Sequence, residues 1–154
     1  LMQTHWIFPL HRSLGAAEAL PLLDALTRAL ADWKAHGAAV EAELQLRFQQ
    51  WILIRAVSAN TSGCSIDWLQ RTVAEVLAAH GLQTAPDTTA WLYDHQTDTV
   101  HPVARAVAVA AVRSGEWPGD RLVADQTVVH RQTFEDIVRP VQQSWLKTFV
   151  PQPV

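Results

Sequence analysis

From position 40 to position 48 the chain alternates without a break. Val40, Ala42, Leu44, Leu46 and Phe48 are apolar, and Glu41, Glu43, Gln45 and Arg47 between them are polar or charged. Successive side chains of a strand point to opposite faces, so this period of two predicts a strand with one buried and one wet face. After a tight connection at Gln49-Gln50, the run Trp51-Ile52-Leu53-Ile54 is apolar throughout. That is the pattern of a strand covered on both faces near the middle of a sheet. The chain must therefore fold around a sheet, and its other segments must cover it.

The flanking segments supply that cover. His5-Trp6-Ile7-Phe8 reads as a short strand ended by Pro9. Residues Ala16 to His36 have helical spacing, with Leu23, Leu26, Leu30 and Trp33 on one face and Gly37 as the exit. A second helix is predicted from Ser65 to His80, striped by Ile66, Leu69, Val73, Val76 and Leu77 and stopped by Gly81. Pro86-Asp87 marks a turn before a strand over Thr89 to Tyr93. The order β-α-β-β-α-β predicts an α+β fold with a split βαβ, ferredoxin-like core over about 4–94. A C-terminal α/β extension over about 95–150 completes one domain. Within it, Pro102 and Gly115 are expected to bracket a short buried helix carrying Val103, Val107, Ala110 and Ala111. Arg121 to Val129 is expected to hold a strand, and Thr133 to cap a last helix ending before Pro140.

Composition narrows the function classes. The 154 residues suit a single core, and 49% hydrophobic with 18% charged residues exclude a disordered chain. A net charge of -3 with no Lys/Arg stripe gives no reason to expect nucleic acid or an anionic membrane as partner. No apolar run is long enough to span a bilayer, and no secretory signal is visible. Cys64 is the single cysteine, which excludes an internal disulfide framework and suits a reducing cytoplasm. There is no Walker loop and no G-x-G-x-x-G, and the histidines show no metal-ligand spacing. No cofactor and no metal are expected. Asp94, Asp98, Asp120 and Asp125 are read as turn residues.

The most informative string is Ser62-Gly63-Cys64-Ser65-Ile66-Asp67, at the start of the second predicted helix. In the expected sheet the first and third strands are adjacent and parallel, so the loops leaving them share one edge. Arg12 would then face Ser62, Gly63, Cys64 and Ser65, with His36 and His80 at the opposite end. Free backbone N–H groups at a helix start favour an anion or a thiolate. Asp67 in the first turn opposes the thiolate.

These residues carry a family resemblance. Trp6-Ile7, Arg12, Trp33, His36-Gly37, the Ser62 to Asp67 string, Val123 with Asp125, and Pro140 with Ser144-Trp145 recur in that order. Over nearly the whole chain the sequence resembles an uncharacterised bacterial family that often carries the label "ABC transporter ATPase". The resemblance implies no activity, and the missing Walker loop speaks against that label. Ser58-Ala59 stands where the family tends to have an acidic pair.

Three readings follow. The first is a domain binding a small anionic ligand at Arg12, Ser62, Gly63, Cys64 and Ser65. The second is an enzyme or redox protein using Cys64 as a thiol nucleophile. The third is a structural or protein-interaction module, with a homodimer through the strand Val40 to Phe48 or through a sheet face.

Overall fold

The computed structural model describes residues 3–57, 63–130 and 134–153 of an α+β chain. It forms two compact units, Leu1–Ala85 and Pro86–Val154. In the first, strands β1 (His5–Pro9), β4 (Ala42–Arg47) and β5 (Trp51–Ala56) make a sheet in the order β1-β5-β4. Helices α1 (Ala16–Leu30) and α2 (Gly63–Ala79) share its core, and a two-stranded hairpin, β2 (Lys34–Ala35) and β3 (Ala38–Ala39), follows α1.

The alternating segment and the apolar run form the predicted pair. Leu44 lies opposite Ile54 and Leu46 opposite Ile52. Across β5, Trp6 lies opposite Ile54 and Phe8 opposite Ile52. Those two rows pack with Leu22, Leu26 and Leu30 of α1 and Leu69, Val73 and Leu77 of α2. Each such side chain taken fully out of water stabilises the fold by about 1.5–3 kcal/mol. Residues Trp51, Ile52, Leu53 and Ile54 are all fully buried, as a central strand requires.

The relation of the first strand to its neighbour corrects the expectation. Strands β1 and β5 are adjacent but antiparallel, with His5 opposite Arg55 and Pro9 opposite Trp51. Both β1 and β4 run antiparallel to β5, so they are parallel to one another and flank it. Among the described residues, a strand next to β1 on its other side is represented by a bridge between Leu10 and Thr84. The strand expected there, β6 (Thr89–Asp94), belongs to the second unit.

The helix predicted to reach His36 also ends earlier. It stops at Leu30, and His36 (φ 53) with Gly37 (φ 79) forms the turn of the β2–β3 hairpin. Two successive positive φ values suit the twist of a two-residue hairpin, so Gly37 serves a strand turn instead of a helix exit. Gly81 (φ 70) does end α2, with the Leu82 N–H donating to Leu77 O at 2.9 Å.

In the second unit β6 joins β7 (Thr99–Ala104), β8 (Leu122–Ala124) and β9 (Val138–Pro140) in an antiparallel sheet ordered β7-β6-β8-β9. Helix α3 (Arg105–Ser114) follows β7 directly and ends at Gly115 (φ 82). Pro102 lies inside β7, opposite Trp91, instead of starting the helix. An edge strand tolerates a residue that cannot donate to a ladder. The helix is not buried all round: Ala108, Val109, Ala111 and Val112 are covered, while Val107 is 59% exposed. Past β8 the chain forms short 3-10 turns at Gln126–His130, Phe134–Asp136, Val141–Gln143 and Trp145–Phe149 in place of a longer strand and a last helix. The proposed cap Thr133 lies outside the described residues.

Candidate functional site

Arg12 stands just before α1, and its charge is already engaged. Its guanidinium donates to both carboxylate oxygens of Glu18, at 2.9 and 2.8 Å. The Gly15 N–H donates to the same carboxylate at 2.9 Å, the Glu18 half of a capping box, while Gly15 offers its carbonyl to the Glu18 N–H at 3.0 Å. The Arg12 hydrogen bonds and then the Gly15 N–H hold the Glu18 carboxyl down at about 2. The same pairing raises the Arg12 pKa.

The start of α2 lies at the other end of α1. Trp33, three residues beyond α1, donates its indole N–H to Ser65 O at 2.9 Å. Arg12 is fixed to the first turn of a 15-residue helix and Ser65 to its exit. At 1.5 Å per residue those points are about 20 Å apart. Arg12 and the Gly63–Ser65 segment therefore do not converge. Ser65 is buried and Gly63 is exposed. Ser62 and the side chain of Cys64 lie outside the described residues.

The histidines are redistributed by the same topology. His36 sits in the β2–β3 turn, and β2 packs against α2. Since Trp33 ties α1's exit to the start of α2, His80 lies at the far end of this 17-residue helix. His11, beside Arg12, shares a hydrogen bond at 3.0 Å with Gln83 O just beyond α2. Thus His80 belongs to the Arg12 end and His36 to the Ser65 end, where the sequence reading had placed the two histidines together.

Several motif residues turn out to hold the framework. The rings of Trp6 and Trp33 meet edge to face, with centroids 5.4 Å apart. Asp125 is fully buried: its carboxylate accepts from Thr127 N at 2.9 Å, Thr127 Oγ1 at 2.6 Å and Trp145 N at 3.1 Å. Ser144 caps the following 3-10 turn through Leu146 N. Asp94 and Asp98, by contrast, do serve the β6–β7 turn, accepting from Gln96 N and Tyr93 Oη.

A convergence of charge that the sequence reading missed occurs on α3. Arg105, Ala106, Val109, Ala110, Arg113 and Ser114 line an open recess of about 620 Å³. The Arg105 guanidinium lies 5.8 Å from the Trp145 ring centre and 5.6 Å from that of Phe149. Arg113 lies over the same Phe149 ring at 5.1 Å. Both arginines are exposed and both rings half-buried. Among the described residues neither guanidinium has a carboxylate partner. The helix also begins without a side-chain cap or an acidic residue in its first turn. Arg105 and Arg113 are two turns apart on one face of α3, and Trp145 and Phe149 stand at the two ends of one 3-10 turn. The spacing of the two arginines was the signal available in the sequence.

No family model, curated protein or solved structure matches the chain. Among the described residues no three His, Cys, Asp or Glu side chains are grouped to hold a metal. Among the same residues no helix is long and apolar enough to cross a membrane.

Proposed function

We propose that the protein binds a small anionic ligand and that the exposed face of α3 receives it. The observation that carries this reading is the placement of Arg105 and Arg113 over one Phe149 ring with no carboxylate paired to either among the described residues. Each cation–ring contact contributes about 0.5–1 kcal/mol at an exposed site, enough to bias the guanidinium positions before a ligand arrives. The two guanidiniums, at most about 11 Å apart by their distances to that ring centre, repel one another by on the order of 1 kcal/mol at a protein surface. An anion bridging them removes that repulsion and gains charge-assisted hydrogen bonds. This moves the anion reading away from Arg12, which engages Glu18.

The resemblance to the bacterial family is part of the same proposal and bears on fold more than on chemistry. Its described positions Trp6, Trp33, Asp125 and Ser144 make framework contacts. We also read the first unit as a split βαβ in which residues 82–85 take the place of the fourth strand. A reducing cytoplasm is the setting that suits the single Cys64.

Titration calorimetry with inorganic phosphate tests the binding reading. Saturable binding is expected, weakened roughly tenfold or more by Arg105→Ala or Arg113→Ala, since a hydrogen bond to a charged group contributes about 1.5–3 kcal/mol. Equal affinity in both variants would remove α3 from the account.

A further inference from the structure

The recess on α3 has an order along its length that a simple anion does not use. Arg105 and Ala106 lie at one end, Val109 and Ala110 in the middle, and Arg113 and Ser114 at the other. These residues form two parallel rows at i, i+4 spacing, so cation, apolar floor and cation follow one another one turn apart. The Ser114 hydroxyl donates to Ala111 O and accepts from Glu116 N, so it shapes that end without offering the ligand a donor. Val109 is 7% exposed and forms the floor together with two alanine methyl groups. The Cα atoms of the two arginines are about 12 Å apart along the helix. Their guanidinium carbons are nearer, because both lie over the Phe149 ring; their distances to its centre cap the separation at about 11 Å.

We infer that the ligand is a linear dianion, an α,ω-dicarboxylate whose apolar spacer lies across Ala106, Val109 and Ala110 while its two ends engage Arg105 and Arg113. This rests on the anion reading above and goes beyond it. Phosphate satisfies charge but leaves the apolar floor uncovered. A monocarboxylate with an alkyl tail covers the floor but leaves one arginine without a counter-charge. A ligand with charge at both ends answers both features. The guanidinium fork is suited to each end, since its paired donors match a carboxylate.

The experiment is a calorimetric titration of the full chain with succinate, adipate, suberate, hexanoate and inorganic phosphate. The expected result is a length optimum among the dicarboxylates, with the best at least tenfold tighter than hexanoate. Arg105→Gln and Arg113→Gln should each bring that dicarboxylate to the level of hexanoate, and Arg105→Lys should recover part of the loss. Dicarboxylates that bind no better than phosphate or hexanoate, with no dependence on length, would overturn the inference and leave the anion reading in place. Absence of saturable binding by every probe would overturn both.

Discussion

Glu18 shows how one side chain can consume the charge that a sequence offers to a ligand. It accepts two hydrogen bonds from Arg12 and one from the Gly15 N–H, so its carboxyl is held at about 2 against an ordinary 4.5. A depressed carboxylate stabilises the fold above its unfolded pKa and loses that contribution as pH falls through the folded one. Glu18→Gln should therefore be less stable than the parent at pH 7. The difference should close between about pH 5 and pH 2 in urea unfolding followed by circular dichroism. Gln49 carries the opposite kind of effect. It is exposed at φ 57 in the turn between β4 and β5, a left-handed conformation that costs a non-glycine residue roughly 1–2 kcal/mol. Gln49→Gly relieves that strain but frees the unfolded chain, so a net gain of up to about 1 kcal/mol is expected from the same unfolding measurement.

At the scale of elements, legibility followed the strength of the local pattern. The alternation from Val40 to Phe48 and the apolar run from Trp51 were readable because each face of a strand has its own solvent, and both appear in β4 and β5. The end of α1 was misread because Trp33 continues the helical stripe while lying beyond the helix, where its indole reaches Ser65 O. Periodicity cannot distinguish a residue buried by its helix from one buried by the next element. Trp33→Phe keeps most of that burial but removes the donor, and should cost about 1–2 kcal/mol of unfolding free energy. Asp125 was misread for a related reason, since an aspartate near a turn looks the same whether it faces water or the core. Its three accepted hydrogen bonds tie the end of β8 to Thr127 and Trp145. Asp125→Asn turns an amide N–H₂ towards one of those donors and should cost about 2–3 kcal/mol, with loss of near-ultraviolet tryptophan dichroism.

At the scale of the whole molecule, topology decided which residues could meet. The central place of β5 was legible, and so in principle was the direction of β1: a helix crossover makes β1 and β4 parallel, and the hairpin from β4 then sets β5 antiparallel to both, which the expected parallel pairing overlooked. That relation sets Arg12 at one end of α1 and Ser65 at the other, so these two described members of the expected site do not meet. On α3 two arginines stand over half-buried aromatic rings with no carboxylate partner among the described residues. No conspicuous motif marked them, since the arrangement depends on a helix and a 3-10 turn some thirty residues later in the chain. The most direct measurement is phosphate titration followed by amide and arginine side-chain NMR shifts. Saturable shifts at Arg105 and Arg113, absent at Arg12, are predicted. Saturable shifts at Arg12 or Gly63 with none at Arg105 and Arg113 would contradict the account.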